Sequence, residues 1–198
     1  MTDILTKEQI KEISALQDKM KKVLKESRFR HTVSVAHTAA ALAMVHDASL
    51  FKALVAGMLH DCAKCYSDEE LLSKCQKNGL PVSSVEEQNP SLLHAAYGAY
   101  LAQKKYAVTD PEILSAIKWH TTGKPEMTLL DKIVFTADYI EPYRNHSEKL
   151  PYIRGLAFQD INRAMVVMLA ETLDYLVKKG VPIDAMTKNT YHYYQSIS

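Results

Sequence analysis

The sequence predicts an all-α protein, built as a single compact bundle of roughly eight helices. Apolar residues recur at spacings of three and four along most of the chain, and no strand-turn-strand alternation is present. Glycine is scarce, with six among 198 residues, so few positions favour tight turns. Because 47% of the residues are hydrophobic, the chain can bury a substantial core, and we expect one domain over residues 1–198.

Four helices are predicted in the first half of the chain. Thr6 with Gln9 fits a capping box at the start of the first helix, and we expect residues 1–27 to pack as an N-terminal helix on the core. An alanine-rich second helix runs from His31, and a third ends at His60. A short fourth helix lies in the more polar segment that follows.

Four more helices are predicted in the second half, each from its own start or stop signals. Pro90 is a start signal for the fifth helix, and Asp110 caps the sixth. Thr128 caps the seventh helix, and the long eighth helix ends at Gly180.

The net charge, the lengths of the apolar segments and the number of cysteines argue against several classes of protein. A formal net charge of +1 gives no general attraction to nucleic acid or to an acidic membrane surface. The N-terminus lacks a signal-type apolar block, and no apolar run is long enough to span a bilayer. The odd set of Cys62, Cys65 and Cys75 argues against a disulfide framework. We therefore expect a cytoplasmic protein with reduced thiols and with no nucleic-acid or membrane partner.

Histidines and aspartates occupy the ends of the predicted helices. Alternate helix ends meet in an antiparallel bundle, so helix starts at His31 and His94 can meet helix ends at His60 and His120. Asp138 fits the same pole less directly, since its helix must approach from elsewhere. The candidate metal ligands are His31, His60, Asp61, His94, His120 and Asp138.

Imidazole and carboxylate ligands together favour iron, manganese, zinc or nickel over calcium. Four histidines and two aspartates exceed what one tetrahedral zinc needs, whereas two metals sharing one carboxylate would use all six. Asp61 is the natural bridge, because residues adjacent on a helix point in different directions and His60 precedes it.

His31, the pair His60–Asp61 and Asp138 reproduce the H…HD…D pattern of the HD-domain metal-dependent phosphohydrolases. The segments AGMLHDCAK, LLHAAYGAYLA, AIKWHTTGKPEMTLLDKIVFTADYIEPYR and DYLVKKGVPIDAMTKNTY resemble the bacterial YqeK group, regarded as symmetrical diadenosine tetraphosphate hydrolases. The resemblance begins at Arg28 and covers nearly all that follows. The sequence departs from the pattern of this group in two places. Ser34 stands where we expect glycine, and the segment before Arg28 is dissimilar. Neither departure touches an expected ligand.

The resemblance implies a di-iron-type centre and a bound nucleoside diphosphate. One metal would be held by His31, His60, Asp61 and Asp138, and the other by His94, His120 and the bridging Asp61. The implied reaction splits diadenosine tetraphosphate with water into two ADP, by a hydroxide that the two metals activate. The bound product would be ADP or GDP. Whether two chains pair as a homodimer is left open.

Several further residues are candidates for substrate contact. Lys64 completes H-D-x-x-K and either meets a phosphate oxygen as a cation or is a solvated lysine after the helix. Asp61 and Lys64 are the expected catalytic residues. Arg144 could hold phosphate or could instead form a salt bridge with Glu141. A TTG segment either brings hydroxyl and N–H groups to a phosphate or is simply a turn; its residues are Thr121, Thr122 and Gly123.

Three other functions remain open from the sequence. A phosphatase for nucleoside monophosphates would need the same ligands, and a few HD proteins use two irons to activate oxygen. A non-catalytic metal-containing nucleotide sensor would keep the ligands without turnover. Turnover separates a sensor from an enzyme, and oxygen dependence separates an oxygenase from a hydrolase. The other histidines are expected to be ordinary polar residues, namely His37, His46, His146 and His192.

Overall fold

The computed structural model describes residues 4–197, so the expected domain limits at residues 1 and 198 lie outside it. Over this range the chain forms eleven α-helices and one 3-10 helix, with no strand, which confirms the all-α class. The helices are α1 Lys7–Val23, α2 Glu26–Val45, α3 Leu50–Leu59, α4 Asp68–Lys77, α5 Ser84–Gln88, α6 Leu93–Lys104, α7 Pro111–Trp119, α8 Leu129–Ile140, α9 Leu150–Ala157, α10 Ile161–Lys179 and α11 Ala185–Ile197. A 3-10 turn, Pro90–Leu92, precedes α6.

The described residues form three more α-helices than the roughly eight expected, namely α5, α9 and α11. The first two have only five and eight residues, too few to show a clear apolar period. Helix α11 is rich in threonine and tyrosine, and its buried face consists of Thr187, Thr190 and Tyr194. Because this face lacks aliphatic residues, an amphipathic pattern is not visible in the sequence.

The helix starts follow the capping chemistry of the sequence. Thr6 with Gln9 forms a complete capping box at α1, and Thr128 with Asp131 forms another at α8. The Asp110 side chain accepts from a backbone N–H in the first turn of α7. These caps fix where α7 and α8 begin.

Helix α3 lies at the centre of the molecule, with every residue from 53 to 59 buried. It packs against α2, α7 and α8, and also against α1, whose buried residues are Leu16 and Met20. Among residues 4–197, no helix combines the length and the apolar character needed to cross a membrane. The three cysteines are free thiols, as expected.

Two glycines set the close approach of the helices around α3. A Cβ at Gly57 would lie 2.7 Å from the Cα of Ala36, so α2 and α3 meet backbone to backbone. A Cβ at Gly98 would lie 3.4 Å from the carbonyl oxygen of His60. This close packing brings the rings of His31 and His60 to a centroid distance of 5.4 Å.

Candidate metal centre

The six side chains predicted as metal ligands converge at one pole of the helices. Each lies near a helix terminus: two follow α3 directly, one follows α7, and the others lie in the terminal turns of α6 and α8 or the second turn of α2. They are His31, His60, Asp61, His94, His120 and Asp138. Five of them are buried, and Asp138 is half-buried at the edge of the group.

A first cluster surrounds one oxygen of Asp61. The ligand atoms of His31, His60 and Asp61 all lie within 4.8 Å of one another. Asp61 Oδ2 lies 3.4 Å from His60 Nε2 and 3.7 Å from His31 Nε2. Asp138 Oδ1 approaches from the other side, 3.0 Å from His31 Nε2 and 3.9 Å from His60 Nε2.

A second cluster surrounds the other oxygen of Asp61. The ligand atoms of Asp61, His94 and His120 lie within 4.8 Å of one another. Asp61 Oδ1 is 3.3 Å from His94 Nε2 and 3.8 Å from His120 Nε2. The two oxygens of Asp61 therefore face different pairs of imidazoles, which is the arrangement that a carboxylate bridging two metals requires.

Hydrogen bonds on the side of each imidazole that faces away from Asp61 determine which ring nitrogen is available to bind a metal. Three histidines contact the carbonyl oxygen three residues earlier through Nδ1: His60 with Gly57, His94 with Ser91, and His120 with Ile117. A carbonyl oxygen can only accept, so Nδ1 carries the proton in each neutral ring. Nε2 of each ring is consequently left with a lone pair directed into the cluster.

These lone pairs make the residues fit a divalent metal. His31 Nε2 and His60 Nε2 are buried and make no well-aligned hydrogen bond in the described chain, although carboxylate oxygens lie 3.0 Å and 3.4 Å from them. A lone pair facing a carboxylate oxygen without a cation between them is costly. His94 Nε2 and His120 Nε2 lie 3.0 Å apart with their lone pairs facing, which is favourable only with a cation or a proton between them. Imidazole and carboxylate donors suit the transition metals, and the chain thus offers a site for divalent metal ions.

Burial keeps two of the imidazoles, those of His94 and His120, in the form that binds a metal. It lowers the pKa of His94 to about 3 and that of His120 to about 4, so both are neutral near pH 7. Burial alone would raise the pKa of Asp61, but the neighbouring His60 outweighs it and holds that pKa well below its usual range. Burial would likewise lower the pKa of His60, but the charge of Asp61 raises it above its usual value. The centre therefore places two neutral nitrogen donors, those of His94 and His120, beside an ionised carboxylate.

Glu141 is a site residue that the sequence reasoning did not assign. One of its oxygens lies 3.1 Å from His31 Nδ1, and the other accepts from Ser34 Oγ at 2.6 Å and from the Tyr143 N–H at 2.8 Å. Glu141 thus orients His31 so that Nε2 faces the cluster. Ser34 itself touches no proposed ligand, but the Glu141 carboxylate links it to His31.

Two arginines reach the carboxylates of the centre. Arg144 Nη2 lies 2.6 Å from Asp138 Oδ1, and its Nε donates to the Asp138 carbonyl oxygen at 2.9 Å. The alternative of a salt bridge from Arg144 to Glu141 is wrong, because the Arg144 guanidinium pairs with Asp138 instead. The Glu141 carboxylate accepts hydrogen bonds from Ser34 and from the Tyr143 N–H. Arg28 Nη1 lies 2.8 Å from Asp61 Oδ2, a contact that sequence reasoning missed.

The TTG segment after α7 is a turn with one hydroxyl at the centre. Thr121 Oγ1 lies 3.4 Å from His94 Nε2 and 3.3 Å from His120 Nε2. Thr122 donates to the Gly123 carbonyl oxygen, and the Gly123 N–H donates to the Trp119 carbonyl oxygen. Of the three residues in this segment, only Thr121 contacts the proposed ligands.

The remaining histidines fall into two classes. His37 and His192 are exposed, and His46 Nε2 contacts the Ala157 carbonyl oxygen at 2.7 Å, as expected for ordinary polar residues. His146 differs, because it lines a cavity of about 260 Å³ beside His31. It follows α8 in an irregular segment, where helical periodicity gives no indication of its direction.

Comparison with known proteins agrees with this geometry. A family model described as HD domain matches residues 28–143. A protein named symmetrical bis(5′-nucleosyl)-tetraphosphatase from Bacillus subtilis is 40% identical over 174 residues, which cover 88% of this chain and 92% of the relative. One of the same name from Halalkalibacterium halodurans is 38% identical, over 85% of this chain and 89% of that protein.

A solved structure extends the likeness to three dimensions. The crystal structure of a protein from Clostridium acetobutylicum, described as a predicted HD superfamily hydrolase involved in NAD metabolism, superposes with a TM-score of 0.90 at 34% identity. The match covers 93% of this chain and 97% of that one. The chain therefore belongs to the HD domain family, in the group whose relatives are named symmetrical bis(5′-nucleosyl)-tetraphosphatases.

Proposed function

We propose that this chain is a metal-dependent hydrolase that cleaves diadenosine tetraphosphate symmetrically, giving two ADP. The observation that carries the chemistry is the position of Asp61, whose two oxygens face separate pairs of imidazole nitrogens. The names of relatives that span nearly the whole chain support the substrate class. We therefore propose a small nucleotide as the substrate.

The proposed metal centre holds two divalent ions. We assign one ion to His31, His60, Asp61 and Asp138, and the other to His94, His120 and the shared Asp61. Iron is our proposal for both, and manganese, zinc and nickel are compatible with the same donors. Divalent ions supply electrostatic stabilisation of phosphoryl oxygens and make water a better nucleophile near neutral pH.

Lys64 is the chain's own proposed catalytic cation. It follows Asp61 by one turn, and its backbone N–H donates to the Asp61 carbonyl oxygen at 2.9 Å. Its side chain is half-buried, and burial lowers its pKa while the charge of Asp61 opposes that shift. A cation held beside two carboxylate ligands can stabilise charge that develops on a phosphoryl oxygen.

Two further residues are proposed to contact substrate. The Thr121 hydroxyl lies at the His94 and His120 side of the centre, and Arg144 lies at the Asp138 side. We propose that these groups orient the phosphate chain from opposite sides. Thr122 and Gly123 then act by shaping the turn that carries Thr121, since their own polar groups are bonded within it.

The proposed reaction breaks the central bridge of the tetraphosphate. The oxygen of water forms a bond to one of the two inner phosphorus atoms, the bond from that atom to the bridging oxygen breaks, and a proton of water is released. Each product is then ADP. One ADP half stays bound with its terminal phosphate at the centre, while the other leaves as a diphosphate.

Three broader assignments accompany this function. We propose that residues 1–198 act as one domain, that the protein works in the cytoplasm, and that neither nucleic acid nor a membrane is a partner. We also propose a homodimer, and sedimentation of the protein in solution tests this assembly. The packing of α1 against α3 supports one domain, because the N-terminal helix shares the core that carries the ligands.

Hydrolysis of diadenosine tetraphosphate in oxygen-18 water tests the proposed reaction, with each of the four metals supplied in turn. We expect ADP as the first nucleotide product, with label in half of the ADP molecules. ATP and AMP as first products would place the cleavage elsewhere in the phosphate chain. Turnover of monophosphates alone would indicate a mononucleotide phosphatase, and nucleotide binding without turnover would indicate a sensor.

A further inference from the structure

Arg154 is a half-buried arginine on α9 that the proposed function does not use. Its guanidinium donates to three backbone carbonyl oxygens of a single short segment of the chain. Nε donates to the Ile140 oxygen at 2.8 Å, and Nη2 donates to the oxygens of Glu141 at 2.9 Å and of Arg144 at 3.1 Å. Hydrogen bonds from a charged donor are stronger than those between neutral groups. One side chain therefore holds a segment that belongs to another part of the fold.

This segment consists of the end of α8 and the turn that follows it. Helix α8 ends at Ile140, and the last carbonyl groups of a helix have no partner within the helix. One backbone hydrogen bond closes the turn, from the Arg144 N–H to the Glu141 carbonyl oxygen at 3.0 Å. Every residue from 142 to 149 is exposed or half-buried, so apolar packing does little to fix the turn. Its position depends on the donors that Arg154 supplies.

The turn carries two side chains that act on one proposed metal position. The Glu141 carboxylate lies 3.1 Å from His31 Nδ1, and Arg144 Nη2 lies 2.6 Å from Asp138 Oδ1. The first metal position is the one proposed for His31, His60, Asp61 and Asp138, and the second is the one proposed for His94, His120 and Asp61. His31 and Asp138 belong only to the first. The backbone that Arg154 holds therefore supports the first position and not the second.

The helix that carries Arg154 is anchored apart from the metal centre. Four residues of α9 are buried in the core, namely Leu150, Ile153, Leu156 and Ala157. Ile153, which precedes Arg154, is completely buried, so the base of the arginine side chain is fixed. A planar guanidinium is pre-organised and loses little freedom for each hydrogen bond that it forms. The side chain is thus suited to position the turn.

We propose that Arg154 is a positioning residue for the first metal position, which acts by holding the turn that carries Glu141 and Arg144. Its donors reach backbone oxygens, and it acts on the metal ligands only through those two residues. This proposal rests on the proposed function, because that function supplies the metal centre. A role in stability alone would affect both metal positions alike, whereas the positioning role weakens the first and leaves the second.

The space around Arg154 allows the guanidinium itself to be tested. The side chain lines a groove of about 1040 Å³ and also a cavity of about 410 Å³. Shortening it to alanine therefore leaves a space that is open to solvent, beside three carbonyl oxygens that have each lost a donor. A free guanidinium ion has the same planar set of donors as the lost side chain. Guanidinium at millimolar concentration should bind there, and ammonium, which lacks the planar geometry, is the matched control.

The experiment compares Arg154→Ala, Arg154→Lys and Ile153→Val with the parent protein. Chelator competition on the manganese-loaded proteins gives the affinity of each metal position. Altering the groups that orient metal ligands typically costs about tenfold to a hundredfold in affinity, so we expect this loss at one position of Arg154→Ala and none at the other. Arg154→Lys should lose less, because an ammonium still reaches part of the carbonyl set. Ile153→Val shortens a buried side chain of the same helix and should keep both affinities.

A second substitution shows which metal position is affected. His94 belongs only to the second position, so His94→Ala leaves the first as the occupied one. Elemental analysis should therefore find that Arg154→Ala combined with His94→Ala has lost the metal that His94→Ala alone retains. Guanidinium should restore this metal to the double variant, and ammonium should not.

Three results would overturn the inference. Equal losses at both positions, or the same loss in Ile153→Val, would make Arg154 only a stabilising residue of α9. Unchanged affinities in Arg154→Ala would show that the turn keeps its place without the guanidinium. If Arg154→Ala does not fold, the same comparisons on Arg154→Lys decide. A parent protein that binds two metals but leaves diadenosine tetraphosphate intact would refute the proposed reaction instead, and the metal affinities would still test Arg154.

Discussion

Ser34 and Glu141 are joined by a hydrogen bond of 2.6 Å between the serine hydroxyl and one oxygen of the carboxylate. The other carboxylate oxygen lies 3.1 Å from His31 Nδ1. Both residues are buried, and hydrogen bonds hold the pKa of Glu141 below its usual range even though burial opposes this. A side chain at a position where we expected glycine therefore helps to hold the carboxylate that orients a proposed metal ligand.

Replacing Ser34 with alanine should destabilise the protein by about 1.5–3 kcal/mol, because a buried carboxylate loses one of its donors. Alanine keeps the helix propensity, so the loss reports on the hydrogen bond. Urea denaturation of the metal-free protein measures it. Ser14→Ala is the control, since Ser14 makes an exposed hydrogen bond to the Ile10 carbonyl oxygen. Equal stability of the two variants would show that Ser34 is dispensable.

Glu141→Gln should weaken metal binding by about tenfold to a hundredfold, as is typical when the partner of a metal-binding histidine is altered. The amide keeps the shape of the side chain but loses the charge that holds His31 in place. Competition with a chelator measures the affinity, and Glu112→Gln, an exposed change at the partner of Lys52, is the control. An affinity equal to that of the control would remove Glu141 from the centre.

Asp61→Ala should empty both proposed metal positions, because both clusters contain this carboxylate. His94→Ala should deplete mainly one position, since His94 belongs to only one cluster. Elemental analysis of purified protein gives the metal content per chain. Asp174→Ala, at an exposed site on α10, is the control for loss of an aspartate. Near-normal metal content in Asp61→Ala would exclude the bridging role.

Lys64→Ala should keep its metals and lower kcat/KM by about tenfold to a thousandfold, which corresponds to about 2–4 kcal/mol of lost transition-state stabilisation. The reason is the position of the half-buried lysine one turn beyond Asp61. Steady-state kinetics on the metal-replete variant measure the change. Lys104→Ala removes an exposed lysine on α6 and should leave the rate unaltered. If the two variants behave alike, Lys64 is only a solvated cation.

Local features explain why the fold class and the convergence of the six candidate ligands could be predicted. The capping residues Thr6, Asp110 and Thr128 act within one helical turn, so the sequence alone places their helices. His60 and His120 follow the last residues of α3 and α7, where the end of an apolar run is visible in the sequence. Antiparallel packing then predicts that such ends meet.

The residues that were missed make their contacts over long sequence separations. Glu141 lies 110 residues from His31 and 107 from Ser34, and Arg28 lies 33 residues from Asp61. Such pairs form only when α2, α3 and α8 have packed, and no local spacing encodes them. The helix count failed for a different reason, since α5 and α9 are short and α11 buries threonine and tyrosine.

The turn after His120 depends on a glycine and on its packing against α11. Gly123 has a φ of +64°, and a Cβ there would lie 2.7 Å from Cγ2 of Thr190. Gly123→Ala should therefore destabilise the protein by about 1–2 kcal/mol from the left-handed backbone, with a further cost of about 1–3 kcal/mol from overpacking.

A second substitution separates these two costs. Thr190→Ser removes the methyl group that the new Cβ would meet, and serine keeps the hydroxyl that donates to the Met186 carbonyl oxygen. In a double-mutant cycle, Thr190→Ser should recover the overpacking part of the loss and leave the backbone part. Urea denaturation of the four proteins measures the coupling. Strictly additive effects would show that α11 does not constrain this turn, and that the positive φ of Gly123 alone accounts for the loss.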